Sequence, residues 1–149
     1  MIRAESSIEI ARPPSQVFAW VCDLRHAPDW LEACVDLALV KPGWERGAEL
    51  RYVFREGRGE GRMSGVVSEY DPGRRLVMEF KDPRFGVIVS FDFAPAGTGT
   101  RVTHAIAIEA KGLMGKLMAP MIRAGNERQV KANLARLERG LTGTGQAAG

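Results

Sequence analysis

Residues 113–141 read LMGKLMAPMIRAGNERQVKANLARLERGL, and the phase of their apolar residues decides the fold. Val130, Leu134, Leu137 and Leu141 recur at spacings of four and three, which places them on one face of a helix. Upstream, Leu113, Leu117, Met121 and Ala124 make a second row. At ~100° per residue the two rows do not align, and the front one is rotated by roughly a third of a turn. Pro120 removes a backbone donor and favours a kink. The pattern predicts one long helix in two sections, with a rear half that anchors it and a front half facing something else.

Working outward, the 149 residues suit one domain, which at this size buries roughly 68–70% of its unfolded surface. Hydrophobic residues make up 45% and charged residues 26%, an ordinary globular balance. No apolar run approaches ~20 residues, so no stable membrane insertion is expected. The N-terminus lacks an apolar signal core, which points to a cytoplasmic location. Cys22 and Cys34 have no CxxC and no second ligand cluster, and two buried free thiols are the expectation. A net charge of +3 is too small to imply a nucleic-acid partner.

The chain then reads in order. Residues 5–11 alternate through Ile8 and Ile10 as a short strand. Pro13-Pro14 stops it and opens a helix carrying Val17, Phe18, Val21 and Leu24. A second short helix surrounds Pro28 to Leu31. Six strand-like segments follow, at 35–41, 49–55, 63–70, 75–81, 87–94 and 100–110. Turn residues separate them: Pro42-Gly43, Gly57 to Gly61, Asp71-Pro72-Gly73, Asp82-Pro83 and Ala96 to Gly99. Successive strands joined by short turns pair antiparallel. The fold class is therefore α+β, a seven-stranded antiparallel sheet wrapped around a long C-terminal helix, with two short helices between strands 1 and 2. A single domain over 1–141 is expected, with a flexible tail at 142–149.

Alternation says which sheet face meets the helix. Val102, His104, Ile106 and Ile108 share a face, as do Leu76, Met78 and Phe80; Leu50, Tyr52 and Phe54; and Val89, Phe91 and Phe93. Their neighbours are charged or small, apart from Val53 and Val77. The predicted inner face is large and apolar.

Three stretches now carry a resemblance. IEIARPPSQVFAWVCDLRHAPDW (8–30) resembles the opening of the START-like polyketide cyclase/dehydrase and lipid-transport superfamily, through its strand, Pro14, Val17-Phe18, Asp23, and Pro28 two residues before Trp30. SEYDPGRRLVMEF (68–80) resembles its central hairpin, and GTRVTHAIAIEA (99–110) its last strand. The resemblance implies a helix-grip fold with a hydrophobic pocket between the curved sheet and the C-terminal helix. Its members are lipid carriers, receptors, cyclases and stress proteins, so it does not carry a substrate with it.

Tyr52, Phe54, Met78, Phe80, Phe85, Val89, Phe91, His104 and Ile106 are the expected ligand-binding residues of the sheet. Met114, Leu117, Met118 and Met121 are those of the helix, since unbranched thioethers reshape around ligands; the alternative for this front row is ordinary core. His104 is either a pocket acid or base or a core histidine bonded to a neighbour. Arg123, Asn126 and Glu127 are either polar groups inside the pocket or surface residues. His104, Arg123 and Tyr70 are the candidate catalytic groups.

No nucleophile elbow, zinc-protease motif or phosphate loop occurs. His26 and His104 have no carboxylate or cysteine at ligand spacing, so neither metal nor cofactor is expected. From Lys111 to Arg139 the long helix carries seven Lys or Arg against two Glu, which its dipole and solvation account for without an anionic partner, the alternative. The leading expectation is a binding protein for a small hydrophobic or amphipathic ligand, as a monomer or homodimer. The alternative is a cyclase, aromatase or dehydratase working in the same cavity. A pocket of even ~300 Å³ would cost about 7 kcal/mol if empty and dry, so it should be wet, occupied or partly collapsed.

Overall fold

The computed structural model describes residues 1–143. Strand β1 (Ile2–Ile10) leads into helix α1 (Pro14–Cys22), a single 3-10 turn (Leu24–His26) and helix α2 (Ala27–Trp30). Six strands follow: β2 (Cys34–Leu39), β3 (Glu49–Glu56), β4 (Gly59–Asp71), β5 (Arg75–Lys81), β6 (Phe85–Ala96) and β7 (Gly99–Ala110). Helices α3 (Gly112–Leu117) and α4 (Ala119–Thr142) complete the order. Every pairing is antiparallel and the strand order is β1-β7-β6-β5-β4-β3-β2, so the chain's first strand closes against its last. This is the helix-grip, START-like architecture.

Local chemistry explains the boundaries. Pro14 occupies the first turn of α1, where its missing N–H costs nothing. Asp23 accepts a hydrogen bond from the backbone N–H of Arg25 and caps the 3-10 turn. The β3–β4 turn is shorter than the glycine run suggests. Gly57 takes φ +58° in the turn, while Gly59 and Gly61 already pair with Glu56 and Phe54 inside the ladder. A register shift between Val67 and Glu69 re-phases β4, so that Val67 and Tyr70 both lie in inner-face rows.

The long C-terminal stretch is two helices, not one kinked helix. Met118, at φ −89° and ψ 0°, is the junction that caps α3 and opens α4, and Pro120 falls in the first turn of α4. Helix α4 runs one residue beyond Leu141 and is closed by Gly143 in the left-handed conformation, with its N–H on the carbonyl of Arg139. Of the tail expected over 142–149, Thr142 and Gly143 thus belong to α4 and its cap, and residues 144–149 lie outside the described residues.

Val130, Leu134, Leu137 and Leu141 are buried as the rear row predicts, against β1, β7 and α2. They join Val17, Phe18, Val21, Trp30, Leu76, Phe91 and Phe93 in one continuous core. Trp30 meets Phe91 edge-on at 5.3 Å and Phe18 meets Phe93 edge-on at 5.2 Å. This filled end leaves the opposite end of the inner face, over β3 to β6, without a helix directly on it.

Candidate ligand cavity

That uncovered end is hollow. A cavity of about 330 Å³ lies over Tyr52, Phe54, Met63, Phe80, Val87, Val89, Ile106 and Ile108, and is roofed by Leu31, Glu32, Ala33 and Gln129. Glu56, Arg84 and Phe85 stand at its mouth, on the tips of the β3–β4 and β5–β6 hairpins. The volume sits at the low end of the range for small-molecule sites, ~300–1,000 Å³.

Two glycines make the floor. Gly61 and Gly65 alternate with Met63 along β4, opposite Phe54 of β3 and Phe80 of β5. A Cβ on either would fall 2.4 Å from the facing phenyl ring. Each ring therefore lies across its glycine rather than standing upright into the space above. Tyr52 joins them, with ring centroids 5.2 Å from Phe54 and 5.4 Å from Phe80.

Polar groups are few and mostly at the rim. Arg84 bridges the two hairpin tips, with Nη1 2.7 Å from Glu56 Oε2 and Nη2 3.2 Å from Asp82 Oδ2. Glu32 is met by Arg128 at 3.4 Å and Arg136 at 3.6 Å. Deeper in, the Tyr52 hydroxyl makes no hydrogen bond to the described residues, and burial raises its pKa above the ordinary phenol value. It stays protonated, a donor without a hydrogen-bond partner among the described residues.

Six of the expected sheet residues line the cavity: Tyr52, Phe54, Phe80, Phe85, Val89 and Ile106. Met78, Phe91 and His104 share their face but are packed into the filled end. The helix residues are a correction. Met114 and Met121 face solvent, and so do Leu117 and, to a lesser degree, Met118. The physical reason is the break at Met118: Leu113, Met114 and Leu117 belong to α3, which touches the body at Gly115, and Met121 stands on the outward side of the first turn of α4. The glycine's missing side chain allows that approach, since a Cβ there would fall 2.7 Å from the Cβ of Ala110.

The three candidate catalytic groups are not brought together. His104 is fully buried and bonded at both ring nitrogens, stacked on Phe91 at 4.3 Å. Arg123 is exposed, and Tyr70 sits between Phe18 and Trp44, outside the cavity. Asn126 is buried and donates from Nδ2 to the carbonyl of Ile106 at 2.8 Å, whereas Glu127 is at the surface.

Several lining residues escaped the sequence reading. Met63 and Val87 follow from strand alternation once the glycines of β4 are placed in the ladder. Leu31, Glu32 and Ala33 belong to a loop with no periodicity to read. Ala33 itself holds φ +66°, a conformation unusual for a residue with a Cβ. Cys22 and Cys34 are free thiols whose pKa values burial pushes up to about 12 and about 11. Among the described residues no cluster of three or more His, Cys, Asp or Glu is placed to hold a metal ion.

Proteins of known structure share this fold. A Thermus thermophilus protein of solved structure superimposes with a TM-score of 0.78 at 22% identity, covering 94% of this chain and 97% of its own. A START superfamily protein from Mycobacterium smegmatis does so at 0.77 and 16% identity, covering 94% and 97%. The Zhui aromatase/cyclase from Streptomyces sp. R1128 gives 0.75 at 16% identity, covering 99% and 97%. At these identities the likeness is one of fold. No curated protein matches. The model of one family, described as polyketide cyclase / dehydrase and lipid transport, matches residues 1–142. With nearly the whole chain matched, this protein belongs to the polyketide cyclase / dehydrase and lipid transport family.

Proposed function

We propose that the protein binds a small, predominantly apolar molecule in the cavity between β3–β7 and α4, with the ligand's polar end toward the hairpin tips. The observation that carries this reading is a floor of three aromatic rings, two of them lying over glycines, walled by aliphatic residues. Such a surface gains by releasing water and contacts flat or aliphatic bodies alike. The free Tyr52 hydroxyl selects for a ligand with one acceptor, a carbonyl or ether oxygen, on the buried part. The test is native mass spectrometry of the purified protein, extraction of any bound molecule, and titration of a panel of aromatic ketones and fatty acids. Tyr52→Phe should weaken carbonyl-bearing ligands by roughly tenfold, the worth of one hydrogen bond, and leave hydrocarbons unchanged. Uniform weak binding insensitive to Tyr52→Phe and to Phe80→Ala would overturn the proposal.

A second reading is catalysis in the same space, motivated by the family's cyclase and dehydrase members and by the aromatase/cyclase of similar fold. Ring closure of a poly-β-keto chain needs a donor on the attacked carbonyl and a base for the methylene proton. Tyr52 and Glu32 are lining groups of those two kinds. Turnover of a poly-β-keto analogue that Tyr52→Phe abolishes while binding persists would favour this reading. Binding without turnover across the panel would favour the first.

A further inference from the structure

Among the described residues, five of the nine large hydrophobic side chains that stand exposed fall within the nine positions 113–121. Leu113, Met114, Leu117 and Met121 are 75%, 68%, 70% and 69% exposed, so α3 and the first turn of α4 turn an apolar surface outward. A protein surface in water rarely gathers such side chains without something to cover them. The charge around them is of one sign. Lys111, Lys116 and Arg123 are exposed, no acidic residue occurs from Ala110 to Asn126, and Glu109 and Glu127 mark the two ends. Lys116 and Arg123 make no ion pair among the described residues.

We propose that α3 and the start of α4 form a docking surface for an anionic lipid bilayer, with the leucines and methionines entering the interface and Lys111, Lys116 and Arg123 meeting the headgroups. Apolar side chains beside cations, on a helix too short and too basic to span, are the composition of an interfacial helix. Indeed no helix among the described residues is long and apolar enough to cross a membrane. A second copy of the chain fits this surface less well. A two-fold contact through the patch would set its cations against their own symmetry mates. The patch also adjoins the cavity mouth. The N–H of Lys111 donates to the carbonyl of Arg84 at 3.0 Å, and its Nζ to that of Asp82 at 3.3 Å. Arg84 and Phe85 line the mouth, so docking would hold the cavity entrance at the lipid surface. The docking does not depend on what the cavity holds, and either proposal can fail alone.

The test is co-sedimentation of the full chain with vesicles of phosphatidylcholine containing roughly one-third phosphatidylglycerol, against pure phosphatidylcholine, at low ionic strength. Binding to the anionic vesicles alone is expected, with release as salt rises to about 0.5 M. The double variant Leu117→Ser/Met121→Ser should lose at least tenfold in vesicle affinity. Lys116→Glu/Arg123→Glu should lose as much on the anionic vesicles. Both should melt with the parent, because the side chains removed touch little of the fold. Absence of vesicle binding, or binding indifferent to the serine variant, would overturn the proposal. A concentration-dependent dimer that the serine variant dissolves, without vesicle binding, would overturn it too and assign the patch to a second copy.

Discussion

Asn133 Nδ2 donates to His104 Nε2 at 3.1 Å, joining the middle of α4 to β7 in the interior. The other imidazole nitrogen, Nδ1–H, donates to the carbonyl of Ser90 at 3.1 Å, and Asn133 Oδ1 accepts the N–H of Glu32 at 3.3 Å. One asparagine thus fixes the tautomer of the histidine, the seat of the helix and the loop that roofs the cavity. His104 is a structural group here, neutral and bonded at both ends.

Burial pushes the His104 pKa down from 6.5 to about 4, with the Ser90 carbonyl opposing it. Between those values the unfolded chain binds a proton that the folded chain does not. Stability should therefore be flat above pH 6.5 and fall as pH drops toward 4, by about 3 kcal/mol from this residue. Urea denaturation of the parent and His104→Phe across pH 7 to 4 isolates it, because other titrating groups are common to both. Parallel curves for the two proteins would refute the assignment.

The glycine floor gives a sharper separation of stability from binding. In Gly65→Ala the new Cβ would fall 2.4 Å from the Phe80 ring, which has open cavity beside it, and 3.0 Å from the backbone oxygen of Glu79, so ring and strand must both give. The cost should fall within the ~1–3 kcal/mol of an overpacked site. Ligand affinity should fall much further, because the ring now occupies the ligand's space. Gly61→Ala should act likewise through Phe54. Denaturation midpoints and titration with a fluorescent apolar probe read the two effects separately.

How much of this was legible in the sequence depends on the range of the forces involved. Strand alternation in 75–81 and 99–110 marks Leu76, Met78, Phe80, Val102 and Ile106 as inner-face, and each is buried. The periodicity of Val130, Leu134, Leu137 and Leu141 likewise identifies the buried row of α4. The helix front misled because phase was carried across Met118, where the backbone breaks and the angular argument no longer applies. Apolar character there reflects an outward surface, which periodicity alone cannot distinguish from a pocket wall. The cavity roof at 31–33 is set by tertiary contacts such as the Asn133–Glu32 bond, between residues 101 positions apart, and leaves no local pattern.

Across the mouth, Arg84 ties the two hairpin tips through Glu56 and Asp82. Its guanidinium and Glu56 both face solvent, so Arg84→Ala should leave the melting temperature within error of the parent. Entry and exit of ligand should both quicken, measured by stopped-flow with a fluorescent probe. Raising salt on the parent should mimic the variant in direction, since exposed pairs are screened. Unchanged exchange rates would mean that ligand enters elsewhere.

Leu134 and Met118 test the division between grip and surface. Leu134 is fully buried among Val17, Phe18 and the inner strands, so Leu134→Ala should cost ~2–5 kcal/mol, a large part of a marginal domain's stability. Met118 lies at the break between α3 and α4, exposed and outside the cavity wall. Met118→Ala should alter neither stability nor affinity for a cavity ligand, whereas Phe80→Ala should lower both. Guanidinium denaturation with m-values checked for two-state behaviour, followed by probe titration of each variant, separates the three positions. A large loss of cavity binding in Met118→Ala at unchanged stability would mean that α3 folds back over the mouth when ligand is bound, and the docking surface would then be available only in the empty protein.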